Sequence, residues 1–192
     1  MASMINRREL ILASSAALLV PALAQTPVVK PVLEEDGMYH FSWYLESFLD
    51  TVEDIATATQ NKKRLAVIWS QRGCIYCKQM AEQYFTDPKI AGYVRENFEV
   101  VHLNLFGARE VTDLDGIKRG ERATAQLYGV RLTPTIQFFA ESAEGLGKKP
   151  PLQREVARMP GLLEREKFLA MFRFVREKGY EKQSFDAWLK KA

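Results

Sequence analysis

Leu65-Ala66-Val67-Ile68-Trp69-Ser70-Gln71-Arg72-Gly73-Cys74-Ile75-Tyr76-Cys77-Lys78 is the stretch on which the reading of this chain turns. Leu65 to Trp69 is a short apolar run rich in β-formers, the pattern of a buried strand. After Ser70 to Gly73 comes a CxxC, at the expected opening of a helix running through Met80 to Phe85. A thiolate at a helix start lies against unpaired backbone N–H groups and the positive end of the helix dipole. Both favour S⁻ over SH, so Cys74 is expected to titrate below a free thiol and to be the nucleophile. Cys77 follows after almost one turn, close enough for the two sulfurs to form a disulfide without disrupting the helix. The chemistry this predicts is thiol–disulfide exchange. Cys74 attacks a substrate disulfide, and Cys77 attacks the mixed disulfide and releases the product.

Other uses of a CxxC fit less well. A zinc site needs further ligands, and with no second CxxC only His40 and His102 remain to supply them. A haem-attachment motif needs His after the second cysteine, where this chain has Lys78. A purely structural bridge over so short a loop adds little stability. A metal-handling module of the CxxxC type with a distant His would need one residue more than the spacing here.

Composition sets the outer limits. The chain has 192 residues, enough for one domain with a self-sufficient core. Hydrophobic residues make up 47% and charged residues 27%, which excludes disordered, collagen-like and multi-span membrane chains. Lys+Arg 27 against Asp+Glu 24 leaves +3, too mild and dispersed for a nucleic-acid binder. Cys74 and Cys77 are the only cysteines, so this is not a disulfide-stapled scaffold.

Residues 1–24 read as an export signal. Arg7 and Arg8 precede an apolar run from Leu10 to Leu23, and Ala22-Leu23-Ala24 gives a small-x-small cleavage pattern before Gln25. The run is shorter than the roughly 18–20 residues of a spanning helix. Asn6-Arg7-Arg8-Glu9-Leu10-Ile11 resembles a twin-arginine signal, although the ordinary secretory route stays open. Export places the CxxC in an oxidising compartment, and the expected location is the periplasm.

Residues 25–37, with Pro27 and Pro31, read as a linker, and residues 38–192 as one domain whose core spans 65–178. Apolar residues at Leu45, Phe48, Leu49, Val52, Ile55 and Ala56 predict a helix after Ser42. Asp87-Pro88 is a cap followed by proline in the first turn, opening a helix towards Asn97. Glu99 to Leu105 predicts a second strand, and Phe106 to Gly120 a polar connection. Residues 121–128 predict a helix stopped by Gly129, and Thr135 to Ala140 a third strand. A fourth strand is expected near Leu152 to Arg158, a helix over Leu162 to Lys178 ended by Gly179, and a short helix capped by Ser184. A parallel βαβ half joined to a ββα half makes an α/β fold: a four-stranded mixed sheet with helices on both faces.

The strand–CxxC–helix unit, this element order and Arg131-Leu132-Thr133-Pro134-Thr135 before a strand together resemble the thioredoxin superfamily, from about Leu65 to Lys178. The resemblance implies a thioredoxin fold with extra N- and C-terminal helices. It also implies a cis peptide before Pro134 and a Thr133 backbone that pairs with an extended substrate segment. Thr133, Pro134, Trp69 and Tyr76 are the expected substrate contacts, with Trp69 equally suited to core packing. Gly-Cys-x-Tyr-Cys-Lys, Asp113-Leu114-Asp115-Gly116 and Tyr128-Gly-Val-Arg-x-Thr-Pro-Thr resemble exported thioredoxin-like proteins. Lys178-Gly-Tyr180-Glu-Lys-Gln-Ser-Phe resembles the SoxW-type thioredoxins of bacterial sulfur oxidation. That resemblance implies exported clients with disulfides or oxidised cysteines, a sulfur-carrier protein among them, and a membrane thiol-relay protein as electron donor. No cofactor is expected beyond the Cys74–Cys77 pair itself.

The chain also departs from the family. Thioredoxins carry a buried Asp six residues before the first cysteine, as proton acceptor for the second. Here that position is Ile68, and Cys77 needs another route for its proton. Ile75-Tyr76 between the cysteines carries no charge, in contrast to the His of oxidising relatives, which predicts an intermediate to reducing poise. Lys78 reads as a solvated helix lysine and His102 as a half-buried strand residue. Asp113 and Asp115 with Gly116 read as a turn rather than a calcium loop.

Overall fold

The computed structural model describes residues 28–191, so the expected export signal lies outside the described residues. The linker expected up to residue 37 is in part a hairpin. β1 (Val32–Leu33) pairs antiparallel with β2 (Tyr39–His40) across a turn at Asp36-Gly37, where Gly37 takes φ 76°. α1 (Thr51–Gln60) begins later than the periodicity predicts. Asp50 caps it by accepting from the backbone N–H groups of Val52 and Glu53, while Leu49 adopts φ 61°. The segment before it is tied to the sheet instead, with Leu45 N–H donating to the Val100 carbonyl at 2.8 Å, and Phe48 points into solvent.

β3 (Arg64–Ser70) leads into the CxxC and α2 (Ile75–Gln79), which widens into a π turn over Met80–Tyr84. α3 (Pro88–Asn97) opens on the Asp87 cap as expected, and β4 (Phe98–Asn104) follows. The polar connection contains a second hairpin, β5 (Glu110–Thr112) with β6 (Lys118–Gly120), before α4 (Glu121–Leu127). β7 (Thr135–Phe138) is the third strand of the main sheet. The fourth, β8 (Ala157–Pro160), starts later than expected because Pro151–Gln153 forms a 3₁₀ turn. α5 (Arg165–Arg176) ends with Lys178, not Gly179, in the left-handed region. Gly179 is needed for a different reason: a Cβ there would collide with the Phe174 ring. α6 (Phe185–Leu189) is capped by Ser184 Oγ.

The main sheet has the order β4-β3-β7-β8, with β3 and β4 parallel and the β3–β7 and β7–β8 pairs antiparallel. β3 is buried along its whole length because both faces of the sheet are covered, and its side chains alternate between two cores. Ala66 and Ile68 join Met80, Tyr84, Ile90, Phe168 and Phe172 on the α2, α3 and α5 face. Leu65, Val67 and Trp69 join Ile55, Ala58, Ala125 and Tyr128 on the α1 and α4 face. The fold is the expected thioredoxin-type α/β sheet, with helices on both faces and added elements at both ends.

Candidate functional site

β3 and β7 bring the CxxC and the Thr133-Pro134 turn together. Trp69 pairs with Thr135 in the ladder, so the segment leaving β3 and the segment entering β7 meet at one end of the sheet. Cys74 is the N-cap of α2 in extended conformation, and its Sγ accepts from Cys77 N–H at 3.1 Å. That backbone donor favours the thiolate in the reduced protein, the physical basis for a nucleophilic Cys74. The two cysteines form a disulfide, with Cα atoms 5.2 Å apart. Cys74 is half-buried, whereas Cys77 is only 6% exposed.

The Thr133–Pro134 peptide is cis, and the Thr133 carbonyl oxygen lies 3.4 Å from Cys74 Sγ. Thr135 Oγ1 donates to the Leu132 carbonyl at 2.7 Å and Gly161 N–H to the Pro134 carbonyl at 2.8 Å, which fixes this turn against the cysteines. Ile75, Tyr76 and Leu132 are exposed. Tyr76 therefore stands at the surface beside the disulfide. Trp69 does not: it is 1% exposed, and its Nε1–H donates to Gln137 Oε1 at 2.6 Å. The expected substrate contact at Trp69 is corrected to core packing, because its side chain points to the α1 and α4 face. Lys78 is exposed and lies 3.9 Å from Glu82, as a solvated lysine does.

Other features of the site were hidden in the sequence. The β1–β2 hairpin lies over the CxxC loop, with Arg72 Nη2 donating to the Glu35 carbonyl at 2.6 Å. Beneath the hairpin is a cavity of about 350 Å³, lined by Leu33, Met38, Tyr44, Cys74, Cys77 and His102 among others. Ile68, at the position of the family's buried Asp, is fully buried in the α2-face core and has His102 of β4 as its register partner. His102 is more deeply placed than the half-buried residue expected, at 7% exposed, and its Nδ1 has no hydrogen-bond partner. Its ring packs edge-on against His40, with centroids 4.8 Å apart, and against Tyr44. Burial, reinforced by His40, pushes the His102 imidazole down to about 3, so it is neutral at any ordinary pH. Among the described residues, no set of three His, Cys, Asp or Glu ligand atoms within 4.8 Å includes a cysteine.

A half-exposed, hydrogen-bonded sulfur paired with a buried one is built for thiol–disulfide exchange. Comparison with known proteins agrees with the fold. A thioredoxin-fold protein from Helicobacter pylori is similar at 22% identity and a TM-score of 0.52, over 75% of this chain and 90% of that one. The solution structure of a thioredoxin from Thermus thermophilus is similar at 25% identity and a TM-score of 0.50, over 68% of this chain and 86% of that one. No curated protein matches the sequence. Residues 51–176 match the family described as the thioredoxin-like domain, and the chain belongs to that family.

Proposed function

We propose that this protein is an exported reductase that passes two electrons from the Cys74–Cys77 dithiol to disulfides or oxidised cysteines on client proteins of the periplasm. Cys74 attacks the client, and Cys77 resolves the mixed disulfide. A membrane thiol-relay protein then restores the dithiol. The observation that carries this reading is the unequal burial of the two sulfurs at the start of α2, with the Thr133 carbonyl beside the outer one. The uncharged Ile75-Tyr76 pair supports a reducing poise, since no cation between the cysteines stabilises the thiolate form. The export pattern and the likeness to SoxW-type sequences support an extracytoplasmic client, a sulfur-carrier protein being the first to test.

A Cys77→Ser variant provides the test. It is expected to accumulate clients as mixed disulfides on Cys74, identified by mass spectrometry of the adducts, while Cys74→Ser accumulates none. Absence of any adduct from the native host would overturn the reading. Equilibration with glutathione tests the direction of electron flow. A potential near that of strong disulfide donors, about −120 mV, would reassign the protein as an oxidase.

A further inference from the structure

We propose that the cavity beneath the β1–β2 hairpin receives a large apolar side chain of the client polypeptide, above all an aromatic one. That side chain belongs to a residue flanking the client cysteine that Cys74 attacks, and an acidic residue stands beside it. This rests on the thiol–disulfide reading above and names the client chemistry that the site selects. Leu33, Cys74 and Cys77 all border the cavity, so whatever fills it lies against the exchanging sulfurs. Thr133 and Pro134 do not border it, although the Thr133 carbonyl lies 3.4 Å from Cys74 Sγ. The cavity is thus a separate surface from that turn. The hairpin that walls it falls before residues 51–176, the part of the chain that matches the family, so it is an addition to the common fold.

The lining determines what fits. At the floor Met38, Met80 and Ala81 are buried, and at the rim Leu33 and Ile75 are exposed, so the cavity opens to solvent above an apolar base. Apolar walls in contact with water gain free energy when an apolar group displaces that water. Tyr39 and Tyr44 form part of the wall, and aromatic rings and methionine sulfurs both pair favourably with an aromatic guest. Thioether side chains also adapt to guests of different outline. A volume of about 350 Å³ accommodates one such side chain. Adjacent Cα atoms are about 3.8 Å apart, so a neighbour of the client cysteine brings its side chain over the cavity while the client sulfur meets Cys74.

Charge supplies the second half. Arg72 and Lys78 border the cavity, whereas the hairpin carboxylates Glu34, Glu35 and Asp36 do not. His102 borders it as a neutral ring, because burial holds its imidazole down to about 3. Arg72 donates from Nη2 to the Glu35 carbonyl, which satisfies one donor without cancelling the charge. Lys78 stands 3.9 Å from Glu82 in an exposed pair of little strength. A client carboxylate next to the apolar side chain therefore meets two exposed cations.

The test uses the reduced full-length Cys77→Ser protein and cysteine peptides activated as mixed disulfides with nitrothiobenzoate. The Cys74 thiolate attacks the peptide sulfur, the new S–S bond joins peptide to protein, and nitrothiobenzoate leaves as a thiolate. The peptides carry Phe or Ala on one flank of the cysteine and Glu or Lys beyond it, each in both chain directions. They compete in one mixture, and intact mass gives the ratio of adducts. In at least one direction the Phe–Glu peptide is expected to exceed Ala–Glu by roughly tenfold or more, and Phe–Lys by roughly threefold or more. Leu33→Glu, a change at an exposed wall residue, should bring the Phe-to-Ala ratio close to one. Lys78→Glu should do the same to the Glu-to-Lys ratio. If Leu33→Glu perturbs the circular dichroism, Leu33→Ser takes its place with the same expectation. Equal labelling by Phe and Ala peptides overturns the proposal. So does a Phe preference that survives Leu33→Glu, since it places the guest on the Tyr76 and Leu132 side of the disulfide. A Phe preference indifferent to Glu or Lys overturns the acidic flank. Absence of an adduct from every peptide would instead overturn the thiol–disulfide reading.

Discussion

Cys74 Sγ accepts a backbone N–H from Cys77 and caps α2, while its partner sulfur is sealed behind it. In the reduced Cys77→Ser variant, Cys74 is therefore expected to be alkylated with a midpoint at least one pH unit below the roughly 8.5 of a free thiol. A midpoint at the free value would remove the basis for its nucleophilic role. His102 makes a separate prediction for stability. Its imidazole is held down to about 3 when folded and titrates near 6.5 when unfolded, so the unfolded chain binds the extra proton between those values. Stability is fully present above about pH 6.5 and is lost as the pH falls towards 3. Asp115, held near 2 by its Arg119 hydrogen bond, acts in the same direction only below about pH 4. Asp54, raised to about 6 by burial, acts in the opposite direction. Denaturant midpoints of His102→Asn measured at pH 7 and pH 5 should differ less than those of the wild type. The CxxC and its place at the opening of a helix after a buried strand were legible in the sequence. The depth of His102 was not, because strand alternation shows which face a residue takes but not that its nitrogen ends without a partner.

Two hairpins that the sequence reading took for linker and loop share one design. Glu34 N–H donates to the Met38 carbonyl and Gly37 N–H to the Glu34 carbonyl; Asp113 N–H donates to Ile117 and Gly116 N–H to Asp113 in the same pattern. Each contains an Asp-Gly pair with glycine at positive φ, a turn signal present in the sequence all along. What hid them was strand length, two or three residues on each side, too short for any periodicity to register. The caps at Asp87 and Ser184 were readable because one side chain decides them locally. The start of α1 was not, since the apolar spacing continues back through Leu45 and Phe48 and only the Asp50 cap stops it. The first hairpin is the more consequential, because it roofs the cavity beside Cys77. Gly37 combines φ 76° with an approach that would set a Cβ 2.7 Å from Arg72 Cγ. Gly37→Ala is expected to cost about 1–2 kcal/mol and to loosen this roof. Hydrogen exchange at Tyr39 and His40 should speed up, and unchanged exchange there would show that the hairpin is held by other means.

Across the whole molecule, the sheet and its order followed from alternating strands and helices, whereas the long-range polar ties did not. Arg154 is 6% exposed and donates to Asp113 Oδ2 at 2.6 Å, and Asp113, 1% exposed, also accepts from Tyr128 Oη–H at 2.6 Å. This tie joins the β5–β6 turn, α4 and the segment before β8 across 41 positions of sequence, a separation no local pattern reveals. Arg154→Ala removes the nearer of the two guanidinium groups at the buried Asp113 carboxylate, leaving Arg119 Nη1 at 3.7 Å, and is expected to cost about 1.5–3 kcal/mol. Urea unfolding measures that loss, and the glutathione equilibrium should stay unchanged, because the tie stands apart from the cysteines. A cost below about 1 kcal/mol would show that Arg119 and Tyr128 suffice to hold the carboxylate. The seclusion of Cys77 also sets a stoichiometry. With its inner sulfur closed to bulky reagents, one polypeptide holds a single guest, and titrating the reduced protein with a large disulfide should capture one equivalent before the guest is expelled from within.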